Sequence, residues 1–132
     1  MNMHNLAAQH AQSDWNIPDP GNGKPINVER SGVCVLKGGA SAQTRTLPGP
    51  KAIGQRIFLA RQDNGAGAIA VTCKGRVRKT GLETTGAIGV NGATTLSFAA
   101  YQVCELVAVH RGENLQWAIL AMDSGTQGPT LS

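Results

Sequence analysis

Val103-Cys104-Glu105-Leu106-Val107-Ala108-Val109-His110, then Arg111-Gly112-Glu113-Asn114, then Leu115-Gln116-Trp117-Ala118-Ile119-Leu120-Ala121 is the stretch that decides the fold. Two runs rich in Val, Leu and Ile, separated by a short polar break with a glycine, predict a β-hairpin. Side chains alternate along a strand. Val103, Glu105, Val107 and Val109 therefore share one face of the first strand, and Cys104, Leu106 and Ala108 share the other. Both faces are apolar enough to need cover. One builds a domain core; the other calls for a second sheet, the chain's own N-terminal arm or a neighbouring subunit.

Upstream, the same alternation predicts further short strands. Val33-Cys34-Val35-Leu36 is a buried-type run, and Gln43-Thr44-Arg45-Thr46-Leu47 alternates before Pro48-Gly49-Pro50 stops it. Gln55 to Arg61 reads as a strand that returns through an Asn64-Gly65 hairpin turn to Ala68-Lys74. Residues 75–90 predict a basic loop and one short irregular strand; Asn91-Gly92 marks a turn before Thr94-Phe98. About eight short antiparallel strands, with turn signals every 8 to 12 residues or so, predict an all-β fold, a single compact sandwich or barrel.

The β-domain is expected over residues 31–123, with residues 124–132 as a C-terminal coil. Residues 1–30 read as an extended N-terminal arm. Asn5 to Gln12 suits a turn or two of helix, but the prolines at 18, 20 and 25 forbid continuous helix or central strand beyond it. Trp15, Ile17, Ile26 and Val28 give this arm apolar handles for intermittent docking, where a purely solvated tail would carry few.

Composition narrows the classes of function. Aromatic residues are only 4% of the chain, which argues against a sugar-stacking or base-stacking surface. No apolar run reaches the ~20 residues of a membrane helix, and Met1 to His10 lack the features of a secretory leader, so a soluble, non-exported protein is expected. Net charge is +4 and unevenly spread: residues 31–81 hold nine of the twelve basic side chains, against the single acid Asp63. That asymmetry suits docking on an acidic surface or between complementary subunits.

Chemistry-bearing motifs are sparse. Cys34, Cys73 and Cys104 are widely spaced with no C-x-x-C pair, so they read as buried reduced thiols rather than a disulfide framework or metal site. A cysteine nucleophile served by His110 is the one enzymatic constellation the residue types permit. His4 and His10 sit in the arm. Gly38-Gly39 and Gly65-Ala66-Gly67 lack the Lys-Ser/Thr of a phosphate loop and read as turns. No cofactor, metal or catalytic site is expected. The strongest surface feature is Lys74-Gly75-Arg76-Val77-Arg78-Lys79, whose alternation puts Lys74, Arg76 and Arg78 on one side. Phosphates, carboxylates of an acidic protein surface, or solvent alone are its three possible surroundings.

The series Asp19-Pro20-Gly21-Asn22-Gly23, Ser31 to Leu36, Gln43 to Pro48, Gly54-Gln55, Thr95 to Ala100, Cys104 to Val109 and Leu115 to Ile119 resembles a group of small β-rich structural proteins of tailed bacteriophages and prophages, including capsid decoration and head-spike proteins. The resemblance spans about residues 15–123, and its motifs are not catalytic. It implies a module that binds the outside of an icosahedral head, often as a trimer. Its partners would be the major capsid protein and further copies of itself, and it would be made in the host cytoplasm and located on the virion exterior. In that setting Trp15, Ile17, Ile26 and Val28 are expected as arm anchors and Lys74, Arg76, Arg78 and Lys79 as docking charges. Val103, Glu105, Val107 and Val109 are expected at a subunit contact, with Glu105 paired to the basic middle of a neighbour. The alternatives are a tail or baseplate module for a host receptor or glycan, and a small nucleic-acid-binding β-barrel.

Overall fold

A computed structural model describes residues 15–88, 92–122 and 128–132. Its strands are β1 Asn16–Ile17, β2 Lys24–Pro25, β3 Gly32–Leu36, β4 Gln43–Leu47, β5 Arg56–Arg61, β6 Ile69–Val77, β7 Glu83–Thr85, β8 Thr95–Phe98, β9 Val103–Arg111, β10 Asn114–Met122 and β11 Thr130–Leu131. The fold is all-β. One curled sheet runs β1-β3-β5-β9-β10-β6-β4-β2, with β7, β8 and β11 branching from it through β6. The result is a half-barrel.

Its pairing is mixed, which corrects the expectation of antiparallel strands alone. β1, β3 and β5 stack parallel on one side, and β2, β4 and β6 stack parallel on the other. The chain thus winds between two sides three times before β9 and β10 close the gap between β5 and β6. Asn64-Gly65 is accordingly no hairpin turn. Gly65 is absent from the glycines with positive φ; it is needed for a close approach. A Cβ there would lie 2.4 Å from the Gly39 carbonyl oxygen, because the β5–β6 loop lies directly against the β3–β4 loop.

The decisive hairpin forms as its pattern predicts. β9 pairs with β10 through a two-residue loop in which Gly112, at φ +61°, takes the first central position. Cys104, Leu106 and Ala108 point inward and are buried, while Val103, Glu105, Val107 and Val109 lie on the other face, partly exposed. The pairing slips by one residue between Ile119 and Ala121, leaving Leu120 at a bulge. Between the two sides sits the core: Cys34, Leu36, Ile57 and Leu59 from one, Leu47, Ile69, Val71 and Cys73 from the other, with Phe98 and Trp117. Trp117 satisfies its indole N–H on the Pro48 carbonyl at 2.8 Å.

The arm is the largest departure from expectation. Residues 15–28 belong to the domain: Ile17, Ile26 and Val28 are core residues, at most 4% exposed. The reason is polar as well as apolar. Asp19 forks onto the buried guanidinium of Arg45, with Nε–Oδ1 at 2.7 Å and Nη2–Oδ2 at 3.0 Å, and accepts the Lys37 N–H at 2.9 Å. Gln55 donates to the Val28 carbonyl at 2.6 Å, and Gly23 and Ile26 donate to the Thr44 and Thr46 carbonyls. The helical turns expected over Asn5 to Gln12 lie outside the described residues. At the other end, Thr130–Leu131 pairs with β8 instead of remaining coil, while residues 124–127 of the expected coil lie outside the described residues.

Candidate functional site

Outward positions of β3, β5 and β9 fall into rows across the sheet. Val33, Phe58 and Glu105 form one; Val35, Ala60 and Val103 form the next; Arg56, Val107 and Ala118 lie on the other flank. Apart from one ion pair and Arg111 at the far end of β9, the described side chains of this outer face are apolar. Val33 and Val35 are 36% and 37% exposed, Leu120 at the bulge is 48% exposed, and Trp15 at the rim is 58% exposed. Large side chains of this kind are normally scattered singly over a surface; here Val33 and Val35 alternate along one strand and Val33 shares a depression with Trp15. A depression of about 360 Å³ opens in the face, lined by Trp15, Gly32, Val33, Arg56, Phe58 and Glu105.

Arg56 and Glu105 sit diagonally across β5 and β9 with Nη1–Oε1 at 3.6 Å. Glu105 was expected to find its partner in the basic middle of a neighbour; its counter-ion is Arg56 of its own chain. Parity had singled out Glu105, but Arg56 reaches it only because β5 lies beside β9.

The other sites anticipated from sequence scatter. Of the four arm anchors only Trp15 is outside the core, so Ile17, Ile26 and Val28 cannot engage a neighbour while docked here. Of the four basic residues, Arg76 is committed internally. Its guanidinium donates to the carbonyls of Gly81 at 2.7 Å, Gly49 at 3.0 Å and Pro50 at 3.2 Å. Lys74 flanks a polar depression with Glu83, Thr84 and Thr85, and Arg78 and Lys79 project from the turn that follows β6. Lys74 and Arg76 do share a face of β6, which runs through Val77 and so extends further than the loop expected from Gly75.

Cys34, Cys73 and Cys104 are free and buried. Burial, followed by the nearby Asp19 charge, pushes the Cys34 thiol up to about 12, and burial with Glu105 nearby does the same for Cys104. Burial raises Cys73 as well. A nucleophile needs the thiolate, and these surroundings oppose it. His110 is exposed at the end of β9, and His4 and His10 lie outside the described residues. Among the described residues no three His, Cys, Asp or Glu side chains are grouped to hold a metal ion, and no helix is long and apolar enough to cross a membrane.

Sequence reasoning missed two buried arginines. Arg61 lies inside, donating to the Phe98 carbonyl at 2.9 Å and to Asp63 at 3.0 Å. The N–H groups of Gly38 and Gly65, followed by Arg61, hold the Asp63 carboxyl at about 2 despite partial desolvation. Burial pushes the Asp19 carboxyl up, but the Arg45 hydrogen bond and the N–H groups of Lys37 and Gly21 outweigh it, and the net displacement is downward. A signal for both arginines was present. Arg45 shares its parity with Leu47, and Arg61 shares its parity with Ile57 and Leu59, all three of them core residues. The chain matches no protein-family model and no curated protein.

Proposed function

We propose that the chain is a non-enzymatic structural subunit of a virion: a capsid decoration protein that binds the outer surface of a tailed-phage head and braces it. The observation that carries this reading is the apolar outer face of β3, β5 and β9, left open in the single chain, with Val33 and Val35 more than a third exposed and Trp15 at its rim. Apolar area removed from water contributes about 25 cal/mol per Å², so covering such a face is a driving force for association. The sequence resemblance supplies the particular assembly. Because residues 16–28 are folded into the domain, association falls to this face, and electrostatic contact with the shell to Lys74, Arg78 and Lys79, not to a loose strap.

The test is the thermal stability of phage heads prepared with and without the protein. Heads carrying it should withstand higher temperature before losing DNA; equal melting would sink the reading. Imaging labelled protein on intact virions gives a second readout. Label on the head supports capsid decoration, whereas label confined to the tail would replace it with a tail-associated role.

A further inference from the structure

In the middle of the outer face of β3, β5 and β9 one base, Arg56, and one acid, Glu105, lie adjacent to each other, while Arg111, the further charge of that parity, ends β9 and donates to the Ala87 carbonyl. A uniformly charged partner, acidic or basic, would meet a like charge there whichever way it docked. A second copy would not. We propose that this face pairs two copies of the chain about a two-fold axis, with each Arg56 reaching Glu105 of the second copy.

The geometry follows from symmetry. A two-fold axis lying between two facing sheets, across the midpoint of the Arg56–Glu105 vector, brings Arg56 of each copy over Glu105 of the other. The four charges then alternate in a ring. Within one chain the closest approach of the two groups is 3.6 Å, longer than a hydrogen bond, with Arg56 61% exposed and Glu105 28% exposed. A guanidinium has further donors and a carboxylate further acceptors, so both have capacity for a second partner. Around the ring, Val33, Phe58 and Val107 supply the apolar surface that two stacked sheets interdigitate. This pairing rests on the reading of the face as an assembly surface, and it replaces the threefold arrangement implied by the resemblance with a twofold one.

The experiment is sedimentation of the full chain over a concentration series, with variants that rearrange the charges. Wild type should reach the mass of two chains. Arg56→Glu leaves the centre of the face with two acids and Glu105→Arg leaves it with two bases, and each should weaken self-association at least tenfold. Mixed in equal amounts, these two variants should pair with each other and regain the two-chain mass. Circular dichroism establishes that each is folded. Should either unfold, Val35→Lys, an exposed position away from the ion pair, must also give monomers. A wild type that stays at one chain or reaches three, oppositely charged variants that fail to pair on mixing, or a Val35→Lys variant that still dimerises overturns the proposal. Cosedimentation with phage heads keeps the two readings apart: a monomer that binds heads overturns the pairing alone, and a dimer that ignores heads supports the pairing while sinking capsid decoration.

Discussion

Replacing Asp19 by alanine should loosen the N-terminal arm and cost the domain a large part of its stability. The Arg45 side chain is 1% exposed and the Asp19 side chain 13%, and they are joined by a two-pronged contact at 2.7 and 3.0 Å. Removing one member of a buried ion pair costs about 3 to 5 kcal/mol, since the other charge is left buried without its counter-ion. The lower end applies here. Water reaches Asp19, and Arg45 keeps its bonds to the carbonyls of Thr44 and Lys37. Against a total stability of about 5 to 15 kcal/mol, a loss near 3 is easily measured and lowers Tm by roughly 10 °C. Urea unfolding followed by circular dichroism gives the number. Asp19→Leu combined with Arg45→Met removes both charges and should be less damaging than the two single changes summed, because neither charge is left stranded. A single variant within about 0.5 kcal/mol of wild type, a range typical of unimportant surface changes, would refute the argument that this pair latches the arm.

Three further outcomes follow from the same contacts. Asp19 and Asp63 both ionise below the ordinary carboxylate value of 3.8, Asp63 at about 2, so their contribution is complete above that value and is lost as protons bind on acidification. Tm should stay level through neutral pH and fall as pH drops from about 4 to about 2, less steeply in Asp63→Asn; a level Tm down to about 2 counts against the assignment. The three cysteines should resist a thiol reagent in the folded protein and all react on unfolding, which absorbance of the released chromophore reads directly; fast native labelling would contradict their burial. Tyr101 holds φ +58° with its side chain 60% exposed. A left-handed L-residue costs about 1 to 2 kcal/mol and glycine gives back about 0.5 to 1 through the unfolded chain, so Tyr101→Gly should stabilise by roughly 0.5 to 1 kcal/mol in the same urea assay, and a loss would mean that the ring makes a stabilising contact.

Parity along each strand was legible in the sequence, and partnership between strands was not. Gln43–Leu47 and the Val103 hairpin emerge with the expected bounds or within a residue or two of them, because alternation is a local property of the chain. Which strands adjoin is decided by packing at a distance. The parallel stacking of β3 on β5 left no local mark, and Asn64-Gly65 imitates a hairpin turn while serving a loop contact. That the arm packs into its own domain escaped notice for a related reason. Its strands are two residues long, shorter than any periodicity can reveal, and the Arg45 that fixes it lies far along the chain. Half of the candidate surface could be read in advance: the outward set Val103, Glu105, Val107 and Val109 follows from alternation. The other half, Val33, Val35, Arg56 and Phe58, needed the strand order.

The two short strands of the arm have a consequence for how far any assembly can grow. They occupy opposite ends of the sheet path, β1 beyond β3 and β2 beyond β4. Each offers only two residues for hydrogen bonding, Pro18 follows β1 directly, and Pro25 within β2 has no N–H to give. An incoming strand finds almost no ladder to extend at either edge. Along this path copies of the molecule gain little by adding edge to edge, which leaves association to their faces, and a face met about a two-fold axis closes at two subunits instead of propagating into a fibre.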